Sequence, residues 1–193
     1  MTHPSPEFIL KVGGLHTLAA DLPLFRPTHM VRLVDPALAD GKLAIAAAAA
    51  DETLLLRIKD TTHADPLGPQ HDHVAEILGF IDRMLTAGRP VRFYVHCHAG
   101  VSRSTATAYL ALACRHGAGK EDAAFAALLG LTEKPWPNHS IVAHADALLG
   151  RRGRLLAPLD TYRQSYPRRI EAYRRLHHRR MRHDADYAAI MTP

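Results

Sequence analysis

Nine consecutive residues, His96-Cys97-His98-Ala99-Gly100-Val101-Ser102-Arg103-Ser104, hold the side chains of this sequence whose types and spacing could do covalent chemistry. They follow the pattern H-C-x-x-G-x-x-R-[ST]. A short loop between a strand end and a helix start can turn its backbone N–H groups inward and form an anion cradle. Gly100 allows the backbone to approach such an anion closely. Arg103 carries a planar fork of donors that matches two oxygens of a tetrahedral phosphate. The same positive charge, with the helix dipole, stabilises a thiolate at Cys97, the nucleophilic form of the side chain. A lone cysteine at a strand end is most simply buried filler. Five specified positions in a strand-loop-helix setting argue instead for chemistry.

The elements around this loop are readable from their patterns. Val91–Val95 is a β-rich run leading into it, and Ser104–His116 is an Ala- and Leu-rich helical run leading out, stopped by Gly117. Upstream, Phe8–Val12 reads as a strand followed by a Gly13-Gly14 turn. His29–Val34 and Leu54–Ile58 read as further strands, with Asp60 at the end of the second and a Pro- and Gly-bearing loop over Thr61–Gln70. From Asp72 to Thr86 the apolar residues Val74, Ile77, Leu78, Ile81, Met84 and Leu85 fall at helical spacing. Helices are also expected at Glu121–Leu129 and Ser140–Leu149, while the Ala-rich stretch Leu43–Ala50 carries no clear period. Strand, helix, strand, tight loop, helix is the order of right-handed parallel connections, so the fold class is α/β. The expected organisation is a domain over 1–156 followed by a basic helical tail over 157–193.

The stretch YVHCHAGVSRSTATAYLA resembles the signature loop of the cysteine-based protein tyrosine phosphatase superfamily, in particular its dual-specificity-like branch. The segments THMVRLVDP, LLLRIKD and PNHSIVAHADALLGRRGRL are similar to the corresponding parts of small bacterial proteins described as tyrosine phosphatases, so the likeness runs from about Phe8 to Leu156. The resemblance implies a three-layer α/β/α sandwich around a central, mainly parallel sheet of about four or five strands. It implies that Cys97 attacks phosphorus to give a phosphocysteine, that Arg103 and the loop residues His98, Ala99, Gly100, Val101 and Ser102 hold the phosphate, and that an aspartic acid protonates the leaving oxygen. Asp60 aligns with that acid, and Asp65 is the alternative on the same segment. Ser104 is the hydroxyl that assists departure of the sulfur, or else a helix N-cap. His96 orients the loop by bonding backbone or thiolate, and Asn138 in Trp136-Pro137-Asn138 supports the site. No cofactor is implied. The loop holds no lysine, in contrast to phosphoinositide phosphatases of the same superfamily. The substrate class expected from the resemblance is phosphotyrosine, with phosphoserine and phosphothreonine beside it. The partners expected are a phosphorylated protein or small phosphomonoester, and a phosphate or sulfate ion in the loop. A cradle of this kind also suits a binding module or pseudophosphatase that docks a phosphorylated or acidic partner without turnover.

Composition sets the frame. In 193 residues, 47% hydrophobic and 22% charged, neither disorder throughout nor a fibrous repeat is expected. No run of eighteen apolar residues occurs, and the opening MTHPSPEFIL lacks a basic n-region and a long apolar h-region, so neither a membrane span nor export is expected. Two cysteines, Cys97 and Cys114, are too few for a disulfide scaffold, and a reducing cytoplasm is the expected location. His63, Asp65, His71, Asp72 and His73 match no ligand spacing, and no metal site is assigned to them. The formal charge of +5 is unevenly spread: residues 151–193 hold eleven arginines against four acids, +7, leaving −2 for 1–150. Ile170, Tyr173, Leu176 and Met181 fall at approximate helical spacing in that tail, whose charge suits an acidic partner.

Overall fold

The computed structural model describes residues 7–39 and 49–169, with Glu171, Ala172 and Arg175. In chain order the elements are β1 (Phe8–Gly14), α1 (Leu15–Phe25), β2 (His29–Val34), β3 (Glu52–Arg57), α2 (His71–Thr86), β4 (Val91–Cys97), α3 (Arg103–His116), α4 (Glu121–Leu131), α5 (His139–Leu148) and α6 (Leu156–Ser165). The four strands make one sheet in the order β1-β4-β2-β3, every pair parallel. All four strands therefore end on the same edge, the edge where α/β sheets bind ligands.

Side chains alternate across a strand, which sorts the layers. Met30 and Tyr94 point to the face covered by Leu18, Leu22 and Phe25 of α1. The other face is covered by α2 against β3, α3 against β1, β2 and β4, and α4 against β1. The α/β/α sandwich expected from the resemblance is thus present, with four strands and one thin layer made by α1. Helix α3 is the central one, with Ala106, Ala108, Tyr109, Leu110, Ala111 and Ala113 all excluded from solvent. Its small residues let the backbone lie close to the sheet, which fixes where its N-terminus points. The stripe expected on α2 is buried at Val74, Ile77, Ile81 and Met84, joined by Phe80.

One local expectation is corrected. Gly13 and Gly14 are not a turn: they continue β1 in register with His96 and Cys97. A Cβ at Gly13 would overlap the Tyr94 hydroxyl, and one at Gly14 would lie 3.0 Å from the Ala99 carbonyl carbon. The pair is glycine because β1 packs directly beside the loop. Helix α1 starts at once after it and was not expected; its apolar residues Leu15, Leu18, Leu22 and Phe25 follow helical spacing, with Pro23 in the last turn. Most of the Ala-rich stretch, and tail residues Ile170, Tyr173, Leu176 and Met181, lie outside the described residues.

The chain divides into two compact units, residues 1–159 and 160–193. Within the second, Arg169 stacks 3.9 Å from the Tyr166 ring centre and 5.4 Å from that of Tyr162. Among the described residues no helix is long and apolar enough to cross a membrane.

Candidate active site

Cys97 is the last residue of β4 and is 1% exposed. Its Sγ lies 3.2 Å from Ser104 Oγ and receives the Gly100 N–H at 3.3 Å. Ser104 belongs to the first turn of α3, and the N-cap position is taken by Ser102. Residues 98–102 are strapped from both sides. The Leu15 N–H donates to His98 O at 3.1 Å, the Trp136 N–H to Val101 O at 2.9 Å, and the Asn138 N–H to Ser102 O at 3.2 Å. Gly100 stands at φ +73°, and a Cβ there would come within 2.8 Å of Gly13 O. Both the backbone conformation and the neighbour require glycine at this position.

Arg103 opens α3 and is 1% exposed. Its Nη1 donates to the Ile58 carbonyl. Its Nε has no hydrogen-bond partner among the described residues, and Asp60 Oδ2 stands 3.7 Å away. Asp60 Oδ1 accepts from the Ser102 hydroxyl at 2.7 Å and from Asn138 Nδ2 at 2.9 Å. Asn138 also donates to Thr61 O at 3.1 Å, while its side-chain oxygen accepts the Ile141 N–H at 3.2 Å and caps α5. Asn138 therefore joins the loop through its backbone N–H, and the segment after β3 and the start of α5 through its side-chain amide. Asp65 is placed differently. Its carboxylate accepts the Leu67 N–H at 3.0 Å and pairs with Lys59 Nζ at 2.9 Å, and Lys59 holds it below the usual carboxylate range. It is built into a turn of its own.

His96 meets Arg32 of the neighbouring strand: Arg32 Nε donates to His96 Nε2 at 3.3 Å. Burial, then the charges of Arg32 and Arg103, push the His96 pKa down to about 4, so its ring is neutral at physiological pH. The signal for Arg32 was available as a lone charge inside the apolar run Met30–Val34. His63 bonds Thr61 Oγ1 at 2.8 Å and His71 lies 3.2 Å from Asp72, and no three His, Cys, Asp or Glu side chains among the described residues converge as a metal cage.

No protein-family model matches the chain, and no curated protein matches it. Solved structures do. Human DUSP28 superposes with a TM-score of 0.54 at 18% identity, covering 74% of this chain and 94% of that one. The PTP-2 phosphatase of Cydia pomonella gives 0.55 at 20%, covering 72% and 84%. The human tyrosine phosphatase-like serine/threonine/tyrosine-interacting protein gives 0.51 at 22%, covering 73% and 91%. At these identities the likeness is one of fold. The chain has the fold of the cysteine-based, dual-specificity-like phosphatases.

Proposed function

We propose that this protein is a cysteine-dependent phosphatase that hydrolyses phosphotyrosine, and with it phosphoserine or phosphothreonine, through a phosphocysteine intermediate that needs no metal. The observation that supports this best is the pair of features on one loop: the Cys97 sulfur receives the Gly100 N–H, and at the start of α3 the buried Arg103 guanidinium has an Nε with no hydrogen-bond partner among the described residues. A buried donor left in that state is expensive unless a ligand supplies the acceptor.

In this reading Cys97 Sγ attacks phosphorus in line. The S–P bond forms as the bond to the leaving oxygen breaks, and the loop amides and Arg103 hold the remaining phosphoryl oxygens. Asp60 gives a proton to the leaving oxygen and later takes one from water. The Ser102 and Asn138 donors both go to Oδ1 and orient the carboxyl with Oδ2 on the Arg103 side. Water then attacks phosphorus and the S–P bond breaks. The Ser104 hydroxyl, 3.2 Å from the sulfur, stabilises it as it departs.

The test is hydrolysis of an aryl phosphate, with a metal chelator present, by the wild type and Cys97→Ser. Turnover is expected in the first and a loss of at least about a thousandfold in the second. Turnover that survives the substitution, or that stops with chelator, overturns the mechanism. Phosphopeptide binding by the wild type without turnover supports the binding-module reading instead.

A further inference from the structure

Strand β2 is buried at all six positions, yet its centre is Arg32, 3% exposed. Moving a guanidinium out of water costs several kcal/mol even after relaxation, and apolar residues would fill such a strand at no such cost. The phosphatase chemistry described above makes no use of this charge. Its placement is specific. Register sets Arg32 opposite His96 and Leu33 opposite Cys97 in the neighbouring strand, and Arg32 Nε donates to His96 Nε2 at 3.3 Å. Because Nε2 accepts, the ring proton of neutral His96 is on Nδ1. Guanidinium keeps its charge at every working pH.

We propose that Arg32 is a positioning residue for the nucleophile: it fixes the tautomer and orientation of the His96 ring that precedes Cys97, and it supplies a permanent positive charge behind the loop that favours the thiolate. The proposal rests on the assignment of Cys97 as nucleophile. Charged or titratable groups reach this loop from several elements. Arg32 comes from β2, His96 from β4, His98 from the loop, and Arg103 from α3. Asp60 comes from the segment after β3, and His16 of α1 lies beside Gly14. In the proposed chemistry Arg103 grips the phosphate and Asp60 serves the proton, whereas Arg32 sits within strand β2 opposite His96 and is assigned no step. Its charge can be removed without removing the machinery.

The experiment measures alkylation of Cys97 by iodoacetamide, an uncharged reagent that needs no phosphate cradle, near pH 6 and near pH 9, read by mass spectrometry with Tm recorded in parallel. Burial pushes the Cys114 thiol up, so that site reports background. Arg32→Met should slow Cys97 alkylation near pH 6 by about tenfold and near pH 9 by less than about twofold. Arg32→Lys, which restores charge, should recover most of the loss. Arg32→Gln, which keeps an N–H donor without the charge, should behave as Arg32→Met and stands in for it if that variant does not fold. Equal slowing at both pH values, or no slowing in a wild type that reacts readily near pH 6, overturns the role of Arg32 alone. A wild type whose Cys97 reacts no faster near pH 6 than Cys114 overturns the nucleophile assignment and Arg32 with it.

Discussion

Arg103 and Arg151 are both buried beside a carboxylate, and the two pairs are built to opposite ends. Arg151 Nη1 meets Glu121 Oε1 at 2.9 Å, and the same oxygen takes the Gly119 N–H at 3.2 Å with Arg154 at 3.5 Å. Around it Asp146 accepts the Gly153 N–H at 2.6 Å and the Leu155 N–H at 2.9 Å. The Tyr109 hydroxyl donates to Leu155 O at 3.1 Å. This cluster is closed. Arg103 is anchored through Nη1 to the Ile58 carbonyl, with Asp60 held at 3.7 Å from an Nε that has no hydrogen-bond partner among the described residues. A saturated pair joins α4 to the turn after α5 and is architecture. A guanidinium fixed on one edge and without a hydrogen bond on another has the arrangement that the proposed phosphate-binding role calls for.

Exchanging the losses tests this contrast most severely. Arg103→Ala should lower kcat/KM for an aryl phosphate by about a thousandfold, the scale of losing a principal oxyanion donor, with Tm changed by a few degrees. Arg151→Met strands Glu121 in a buried site, so Tm should fall by roughly 5 °C or more while the rate at 25 °C stays within about threefold. If Arg151→Met abolishes turnover in a protein that remains folded, the two regions are not separable and the contrast fails.

Acid should unfold the two regions in different windows. His96 titrates at about 4 in the folded protein against 6.5 ordinarily, because burial and then Arg32 and Arg103 oppose its charge. The unfolded chain therefore takes up this proton as pH falls through 6.5, and the folded chain takes it up only near 4. Stability from this group is complete above pH 6.5 and declines through that window, by about 3 kcal/mol in all at about 1.4 kcal/mol per unit. Glu121 works lower. Burial, which raises its pKa, is outweighed by backbone hydrogen bonds and by Arg151, so its carboxyl sits below the ordinary 4.5. Its contribution holds above that value and is lost beneath it. Tm measured against pH should decline first between 6.5 and 4, and His96→Gln should shrink that first decline, leaving the part that comes from His29, whose pKa burial also lowers. A wild-type Tm that is level down to pH 4.5 contradicts the assignment.

A smaller effect, confined to the cradle, is expected from Asp60→Asn. The amide oxygen can still accept from Ser102 and Asn138, so inorganic phosphate should bind nearly as before. Hydrolysis of an alkyl phosphate should fall by about a hundredfold, and of p-nitrophenyl phosphate by less than about tenfold, because a good leaving group needs no proton. Asp65→Asn, which loses a contact to Lys59 within a turn, should leave both rates within about twofold. Equal losses on the two substrates would make Asp60 a support for the loop and not its acid.

Much of this was legible because it is local. Cys97, Gly100, Arg103 and Ser104 lie within one strand-loop-helix unit, so spacing alone brought them together, and the α2 stripe declared itself by its period. What was hidden depends on contacts between distant segments. Gly13-Gly14 looks like a turn in sequence and is a strand end whose missing side chains make room for Tyr94 and Ala99. With that pair read as a break, the helical spacing of α1 passed unnoticed. The link from Asn138 to both Asp60 and Thr61 bridges segments that no periodicity connects. Arg32 was visible as a residue, but its meaning comes from the pairing of β2 with β4, which the order of strands in the chain does not give.

The smallest effect on catalysis should come from the most highly charged part of the chain. Every residue placed at the site lies between Gly14 and Asn138, within the first compact unit, whereas residues 160–193 carry eight arginines against four acids. Ending the chain at Leu159 should leave hydrolysis of a small aryl phosphate within about twofold. It should weaken retention on a polyanion such as heparin, and the full-length protein's retention should fall as salt rises, because screening acts on exposed arginine charge. Substrate size sharpens the test. If the tail gathers acidic phosphoproteins, truncation should raise KM for an acidic phosphopeptide at low salt and leave KM for the aryl phosphate unchanged. Equal loss on both substrates, accompanied by a lower Tm, would assign the tail to the fold and place it with Arg151 rather than with Arg103.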